Sequence, residues 1–188
     1  TLFNLGLQVG GELDFRRRGH EWRNSLALSE MFSRTPELKK FVKTTDSLIL
    51  DSIYLYNIRA LKWFGPFARF NLETSLLEGR DVRSEVVYYQ AAMKDGETKW
   101  YNADSKRLTR PFQPLKLKQT LGGFGKPISN QAYNLELRLG LGAKEVIAAD
   151  QLAFDDKKDT PEIELKELGD FTQLGGEAGI FLSGKISK

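Results

Sequence analysis

The chain has 188 residues, 28 of them basic and 25 acidic, which gives a formal net charge of +3 at pH 7. This length is typical of one domain, and the balanced charge argues against a nucleic-acid-binding arm or an acidic tail. Cysteine is absent and His20 is the single histidine, which excludes a disulfide scaffold, a thiolate zinc site and a cysteine nucleophile for these residues. No stretch approaches the roughly 20 apolar residues of a membrane-spanning helix.

Alternation of apolar and polar residues predicts most of the secondary structure. In residues 4–16, apolar side chains from Leu5 to Phe15 occupy odd positions and polar side chains occupy even ones. Residues 45–57 are apolar on both sides and are predicted as a strand by their β-propensity. No helix is predicted. In chain order, the predicted strands are residues 4–16, 21–33, 45–57, 66–76, 114–124, 131–144, 161–168 and 175–185.

The predicted strands are long, and their connections alternate between short and long. The clearest segments exceed the about 5 to 6 residues of an ordinary strand and match the ~9 to 11 residues, plus ends, of a tilted membrane-spanning strand. Short turns at one rim and long loops at the other are typical of bacterial outer-membrane barrels. The short connections are residues 17–20, 58–65, 125–130 and 169–174, and the longer ones are 34–44, 78–110 and 146–160.

These features predict an all-β fold, an antiparallel up-and-down transmembrane β-barrel of the bacterial outer membrane. It would be a single domain over residues 1–188, with a loop or hairpin insertion at residues 78–110. The alternative is a soluble β-barrel or sandwich, in which an apolar interior could bind an apolar ligand, because alternation alone does not distinguish the two.

The predicted strand count does not suit a complete barrel. With the short turns in the periplasm, the eighth predicted strand runs outward and stops, whereas outer-membrane barrels have an even number of strands and normally start and end in the periplasm. We therefore expect at least one strand to be missing at each end of these residues. The parent barrel is expected to have roughly ten to twelve strands.

Several motifs resemble those of a known group. They are Gly-His-Glu-Trp-Arg-Asn-Ser-Leu at residues 19–26, Phe-Val-Lys-Thr-Thr-Asp at 41–46, Ser-Ile-Tyr-Leu-Tyr at 52–56, and the run from Trp63 to Leu76. On these residues the chain resembles uncharacterised outer-membrane β-barrel proteins of Gram-negative bacteria, of the DUF3078-like type. The resemblance spans most of the chain. It implies a location and a fold, and it brings no catalytic residues.

The polar faces of the predicted strands carry both signs of charge. Turned inward in a barrel, they could line a water-filled lumen and set a preference for ions or small solutes. The alternatives are a salt-bridged plug of a narrow barrel and a solvated sheet face. The candidate lumen-lining residues are Glu12, Asp14, Arg16, Arg23, Arg69, Glu73, Lys116, Lys118, Glu136, Arg138, Lys144, Glu177 and Lys185.

Aromatic residues gather near the predicted strand ends, mostly beside short turns. Membrane interfaces favour amphipathic rings at headgroup depth, so these residues are candidates for an interfacial girdle, with ordinary core aromatics as the alternative. The candidates are Trp22, Tyr54, Tyr56, Trp63, Phe64, Phe67 and Tyr133.

The insertion at residues 78–110 contains its own hairpin signal. Residues 86–90 and 99–101 are rich in β-formers, and the Asp95-Gly96 dipeptide between them is a turn signature. Loops on a rigid scaffold often carry function, so the hairpin could form a constriction or a receptor surface. A solvated hairpin without a partner is the alternative.

Catalytic motifs are weak. The run from Gly122 to Lys126 lacks the spacing of a phosphate loop and the following Ser/Thr, and Gly140 with Gly142 lacks the third glycine of a dinucleotide fingerprint. Residues 155–159 lack the spacing of a calcium loop. His20 lies in a predicted tight turn, which disfavours a histidine-dependent hydrolase. No enzyme activity, metal or cofactor is expected.

The sequence therefore predicts a non-enzymatic outer-membrane barrel that acts as a passive pore or solute channel with a charged lumen. The first alternative is a structural or adhesive barrel that binds a protein partner through residues 78–110. The second is a soluble barrel that binds an apolar ligand. Membrane lipids, and small solutes or ions, are the expected partners, and nucleic acid is not.

Overall fold

The structure, a computed structural model, describes residues 2–36, 40–61, 63–130, 132–155 and 160–184. Within these ranges the chain forms strands and turns, and no helix is long and apolar enough to cross a membrane. The strands are β1 (Phe3–Arg17), β2 (His20–Arg34), β3 (Val42–Tyr56), β4 (Phe64–Thr74), β5 (Gly79–Ala92), β6 (Thr98–Thr109), β7 (Leu115–Ser129), β8 (Tyr133–Ile147), β9 (Leu152–Phe154), β10 (Ile163–Glu167) and β11 (Phe171–Gly184).

Seven strands form one sheet, the main sheet, in the order β1-β2-β3-β4-β7-β8-β11. Each strand is antiparallel to its neighbours, and the shortest of these pairings, between β3 and β4, covers residues 48–55 of β3. The prediction of an all-β fold with antiparallel, up-and-down strands is thereby confirmed. The alternating pattern of the sequence explains the register, because a slip of one residue would turn every apolar side chain to the other face.

Connections of different length lie at the two ends of the main sheet. Residues 18–19, 57–63 and 130–132 join strands at one end, which we call the short-turn rim. Residues 35–41, 75–114 and 148–170 join them at the other end, the long-loop rim. The two longest connections thus share one rim, as predicted, although residues 35–41 form a connection no longer than residues 57–63. Residues 169–174, predicted as a short connection, instead include the end of the connection at 148–170 and the start of β11.

The main sheet curls so that its polar face is concave. Arg23 on β2 and Glu136 on β8 are four strand positions apart, which would separate them by about 19 Å in a flat sheet with strands spaced about 4.8 Å apart. Their side chains nevertheless meet at 2.9 Å. Gly122 permits part of this curvature, since a Cβ atom there would lie 2.1 Å from the carbonyl oxygen of Leu139. We call the concave side the interior face and the convex side the exterior face.

The exterior face is apolar and exposed. Leu139 on β8 is 70% exposed, and Leu121, Leu141, Leu174 and Ile180 are exposed to a similar degree. The interior face shows the opposite distribution, because the charged side chain of Glu136 is only 1% exposed. A soluble barrel or sandwich would bury its leucines and expose its carboxylates.

The main sheet is not closed. Its edge strands, β1 and β11, do not pair with each other in the described residues, and both run from the long-loop rim to the short-turn rim. Because neighbouring strands of this sheet are antiparallel, two edges that run in the same direction can be joined only through an odd number of further strands.

A second sheet, the loop sheet, lies at the long-loop rim and has the order β6-β5-β10-β9. The hairpin of β5 and β6 belongs to the connection at residues 75–114, and β9 and β10 belong to the one at residues 148–170. Strand β10 joins the two by pairing in parallel with β5. Tyr89, Ala91, Leu152 and Leu165 form its buried core.

The loop sheet corrects one part of the predicted topology. Residues 161–168, predicted as one of the long strands, contain only the short β10, which belongs to the loop sheet. The last strand of the main sheet is therefore its seventh, and it ends at the short-turn rim and does not run outward. Alternation marks a half-buried strand in either sheet, so the sequence pattern could not separate the two.

Candidate functional site

The interior near the short-turn rim holds a cluster of ion pairs, which we call the lower cluster. Its centre is Glu136, whose carboxylate accepts hydrogen bonds from Arg23 at 2.9 Å and from Arg138 at 2.6 Å. Glu21 accepts hydrogen bonds from Arg23 and from Lys126, each at 2.7 Å. Each buried carboxylate is thus compensated by more than one cation, which offsets the cost of removing it from water.

Apolar side chains fill the space beside the lower cluster. Ile53, Leu55, Phe67 and Phe124 form a buried group on the interior face, and Leu55 and Phe124 are 0% and 1% exposed. The lower cluster and this group together occupy the concave side of the sheet at the short-turn rim. Interiors of small barrels are filled by side chains in this way.

A second group of ion pairs, the middle cluster, lies halfway along the strands. Arg69 on β4 donates from Nε to Asp51 at 3.0 Å and from Nη1 to Glu177 at 3.0 Å. Glu177 also accepts a hydrogen bond from Thr120 at 2.9 Å and pairs with Lys118 at 2.8 Å. Arg69 and Glu177 belong to strands three positions apart, so this cluster also bridges the concave face.

Most of the predicted lumen residues lie on the interior face, and the structure pairs them with one another. Arg16, Arg23, Glu136 and Arg138 belong to the lower cluster, and Arg16 also lies 3.7 Å from Asp14. Of these predicted residues, Glu12 and Lys144 have no ion pair in the described part of the chain. Lys185 lies outside the described residues. The other predicted residues, all in ion pairs, are Arg69, Glu73, Lys116, Lys118 and Glu177.

The sequence did not single out three charged residues of these clusters. Glu21 precedes Arg23 on the same face of β2, so the alternation could have identified it. Asp51 lies in a segment that is apolar on both sides, because the interior face of β3 carries Ile53 and Leu55 toward the short-turn rim. Lys126 stands in the glycine-rich run that was considered as a phosphate loop, and that run is part of β7.

Aromatic side chains collect on the exterior at the short-turn rim. Trp22 lies opposite Phe15 on β1 and Tyr54 on β3, and its Nε1 donates to Ser52 at 2.8 Å. The Tyr54 hydroxyl also forms a hydrogen bond with Nδ1 of His20. The prediction for Phe67 is wrong in its placement, since this ring is 5% exposed and lies in the interior. The other predicted interface aromatics near this rim are Tyr56, Trp63, Phe64 and Tyr133.

The loop sheet has one buried face and one exposed face. Tyr88 and Trp100 are 62% and 58% exposed and occupy diagonal positions on β5 and β6, where Gln90 lies opposite Trp100. On the buried face, burial raises the pKa of Tyr89 to about 12, and its hydroxyl donates to Asp81 at 2.9 Å. The exposed face is therefore an amphipathic surface supported by a rigid core.

Metal and catalytic chemistry have little support in these residues. No group of three or more His, Cys, Asp or Glu side chains in the described ranges could hold a metal ion. His20 contacts Tyr54 and Tyr56, both tyrosines on the exterior face, and no acid or nucleophile is paired with it in this part of the chain. Of the acidic run at residues 155–159, only Asp155 is among the described residues.

No family model matches the chain, and no curated protein or solved structure is significantly similar to it. The resemblance to DUF3078-like barrels therefore stays a prediction.

Proposed function

We propose that the chain is an outer-membrane β-barrel protein whose interior is closed by ion pairs and whose loop sheet is a binding surface outside the membrane. The observation that carries the proposal is the inversion of burial in the main sheet. Leu139 and Leu141 are 70% and 77% exposed on the exterior, while Glu136 and Glu21 are 1% and 5% exposed inside. Lipid is the solvent in which this arrangement is favourable.

Three further features support a membrane location. The strands of the main sheet are 11 to 15 residues long, enough for a tilted crossing of the hydrocarbon core. The two longest connections, residues 75–114 and 148–170, lie at the same rim, as in outer-membrane barrels. Exterior aromatics such as Trp22 and Tyr54 gather at the short-turn rim, at the level expected for an interfacial girdle.

Barrel closure is part of the proposal. Seven strands with both edges running in one direction need an odd number of additional strands, which gives the even total that outer-membrane barrels have. One additional strand would produce an eight-stranded barrel, in which side chains fill the interior. The expected ten to twelve strands also satisfy this parity when three or five strands are added.

The ion pairs favour a structural or adhesive barrel over a passive pore. The Arg23–Glu136 pair bridges the concave face at the short-turn rim, and buried apolar rings lie next to it. A water-filled channel would leave these side chains solvated, whereas Glu136 is almost completely buried. The exposed Tyr88 and Trp100 of the loop sheet are residues that commonly anchor protein interfaces.

Conductance measurements on the full chain in planar bilayers test the closed interior. We expect no steady conductance from the intact protein, and none from a variant in which residues 79–109 are replaced by a short turn, because the ion pairs do not depend on the loop sheet. Conductance from both proteins would show an open pore. Conductance from the deletion variant alone would show that the loop sheet, and not the interior, closes the barrel.

A further inference from the structure

An interior cavity opens between β4, β7, β8 and β11 on the half of the main sheet that is nearer the long-loop rim. Its volume is about 370 Å³. One row of cross-strand partners forms its wall, because Asn71 pairs with Lys118, Lys118 with Lys144, and Lys144 with Gln173. Two ammonium groups and two amides from four neighbouring strands therefore face the same space.

The cavity carries one positive charge that no carboxylate compensates. Lys116 pairs with Glu73 at 2.6 Å, and Lys118 pairs with Glu177 at 2.8 Å. In the described part of the chain the side chain of Lys144 has no hydrogen bond or ion pair, so three cations of the cavity wall stand against two carboxylates.

The position of Lys144 is unfavourable without a ligand. It lies directly opposite Lys118 in the antiparallel ladder, and like charges directly opposite each other are destabilising. An anion placed between the two ammonium groups would remove this repulsion and give Lys144 a partner. Lys144 is half-buried and has no counter-charge in the described part of the chain, so its position opposite a second lysine points to a missing negative charge.

The backbone leaves room for such a ligand. Gly142 and Gly175 are the interior residues next to Lys144 and Gln173, on the side of the short-turn rim. A Cβ atom at Gly175 would have no neighbour within 4 Å, so open space adjoins the two lysines. The cavity is therefore bounded by donors on one side and is free of side chains on another.

We propose that this cavity binds the phosphate group of a small polar solute, with Lys144 as the principal cation and Lys118, Asn71 and Gln173 as further donors. A phosphate offers several acceptor oxygens to donors that converge from different strands. The cavity lies on the interior face, so the ligand is a dissolved phosphate ester and not a lipid headgroup. The choice of a dissolved ligand rests on the proposed membrane location, whereas the phosphate site itself depends only on the residues of the interior face.

Titration calorimetry tests the site by adding inorganic phosphate to the full chain folded in detergent micelles. A titration with sodium chloride of equal ionic strength controls for non-specific ionic effects. We expect Lys144→Gln to weaken phosphate binding by about tenfold or more, because one charge-assisted hydrogen bond is lost. Lys166→Gln is the matched control, since Lys166 is exposed on β10 of the loop sheet and does not line the cavity. It should leave binding unchanged. Equal binding by wild type and Lys144→Gln, or no phosphate binding by the wild type, would overturn the proposal.

Two additional measurements separate a binding role from a structural one. Without phosphate, Lys144→Gln should be as stable as the wild type or more stable, because it removes a like-charge pair. Phosphate should raise the melting temperature of the wild type and of Lys144→Arg, which keeps the charge, but not that of Lys144→Gln. Equal phosphate stabilisation of all three proteins, or a loss of stability in phosphate-free Lys144→Gln, would contradict the proposal.

Discussion

The main sheet buries carboxylates and exposes leucines, whereas the loop sheet buries its leucines. In the main sheet, Leu139 is 70% exposed and Glu136 is 1% exposed. In the loop sheet, Leu165 is 2% exposed, and the residues next to it on β10, Glu164 and Lys166, lie outside the buried core. Apolar and polar side chains alternate along the strands of both sheets. The apolar side chains are on the exposed face of the main sheet but on the buried face of the loop sheet.

On the proposed membrane location, this difference adapts one chain to two solvents. The loop sheet follows the ordinary rule for water, in which apolar side chains leave the solvent. The main sheet follows the same rule only if the solvent at its exterior face is hydrocarbon. In hydrocarbon, burying leucine does not lower the free energy, and exposing a carboxylate raises it strongly. The boundary between the sheets, at the long-loop rim, would then be the boundary between membrane and water.

The largest effect is expected from the lower cluster. Glu136→Ala should destabilise the folded protein by about 3–5 kcal/mol, because it leaves buried guanidinium groups of Arg23 and Arg138 without their shared carboxylate. Urea unfolding of the protein in detergent, followed by tryptophan fluorescence, measures the change. Glu145→Ala on the exposed side of the same strand is the control, with an expected change within about 0.5 kcal/mol. Similar values for both variants would show that the interior is solvated.

A substitution on the exterior tests which solvent the main sheet faces. Leu139→Arg, near the middle of β8, should cost about 2–4 kcal/mol in lipid vesicles, because an arginine at the bilayer midplane is placed in hydrocarbon. Tyr88→Arg on the exposed face of the loop sheet should change stability by no more than about 0.5 kcal/mol. If both substitutions are neutral in unfolding experiments in vesicles, the exterior face is in water and the comparison between the sheets fails.

The smallest effect concerns Tyr89 in the core of the loop sheet. Its pKa is raised to about 12 from a reference of 10.0, chiefly by burial and then by the hydrogen bond to Asp81. The contribution of its neutral form to stability is therefore complete below pH 10.0 and is lost as the pH rises toward 12. Tyr89→Phe should cost about 1 kcal/mol at neutral pH through the lost hydrogen bond.

Phenolate absorbance across this alkaline range reports the titration directly. The wild type should show an absorbance component that ionises at higher pH than its other tyrosines, and Tyr89→Phe should lack this component. The stability of the loop sheet in Tyr89→Phe should also no longer fall specifically between pH 10.0 and 12. Tyr88→Phe, one residue away and exposed, is the matched control. An unchanged late component in Tyr89→Phe would assign that component to another tyrosine.

Local sequence patterns predict the strands, but they do not predict which distant strands pair with each other. Residues 4–16 were predicted as a strand from alternation alone and form β1, and the Asp95-Gly96 dipeptide occupies the turn of the β5–β6 hairpin, where Gly96 has a φ of 86°. The parallel pairing of β10 with β5 has no sequence signature, because it joins residues that are distant in the chain. The segment at 161–168 was therefore assigned to the wrong sheet.

The charged interior was predictable in part for a related reason. Alternation places Arg23, Arg69 and Glu177 on the polar face of their strands, and they lie on the interior face. It cannot say which charges meet, since partners such as Arg23 and Glu136 are joined only by the curvature of the sheet. Phe67 was assigned to the membrane interface because it lies close to a turn, although its position in the alternation matches the interior.

The parallel contact between β5 and β10 joins residues that are distant in the chain, as in the pair Ala91 and Leu165. Because closing so long a loop costs much conformational entropy, we expect this contact to form after the local β7–β8 hairpin. The surface of Tyr88 and Trp100 is supported by this core. This surface would therefore acquire its final shape only in a nearly folded molecule. A partner that binds this shape would then distinguish folded molecules from incompletely folded ones.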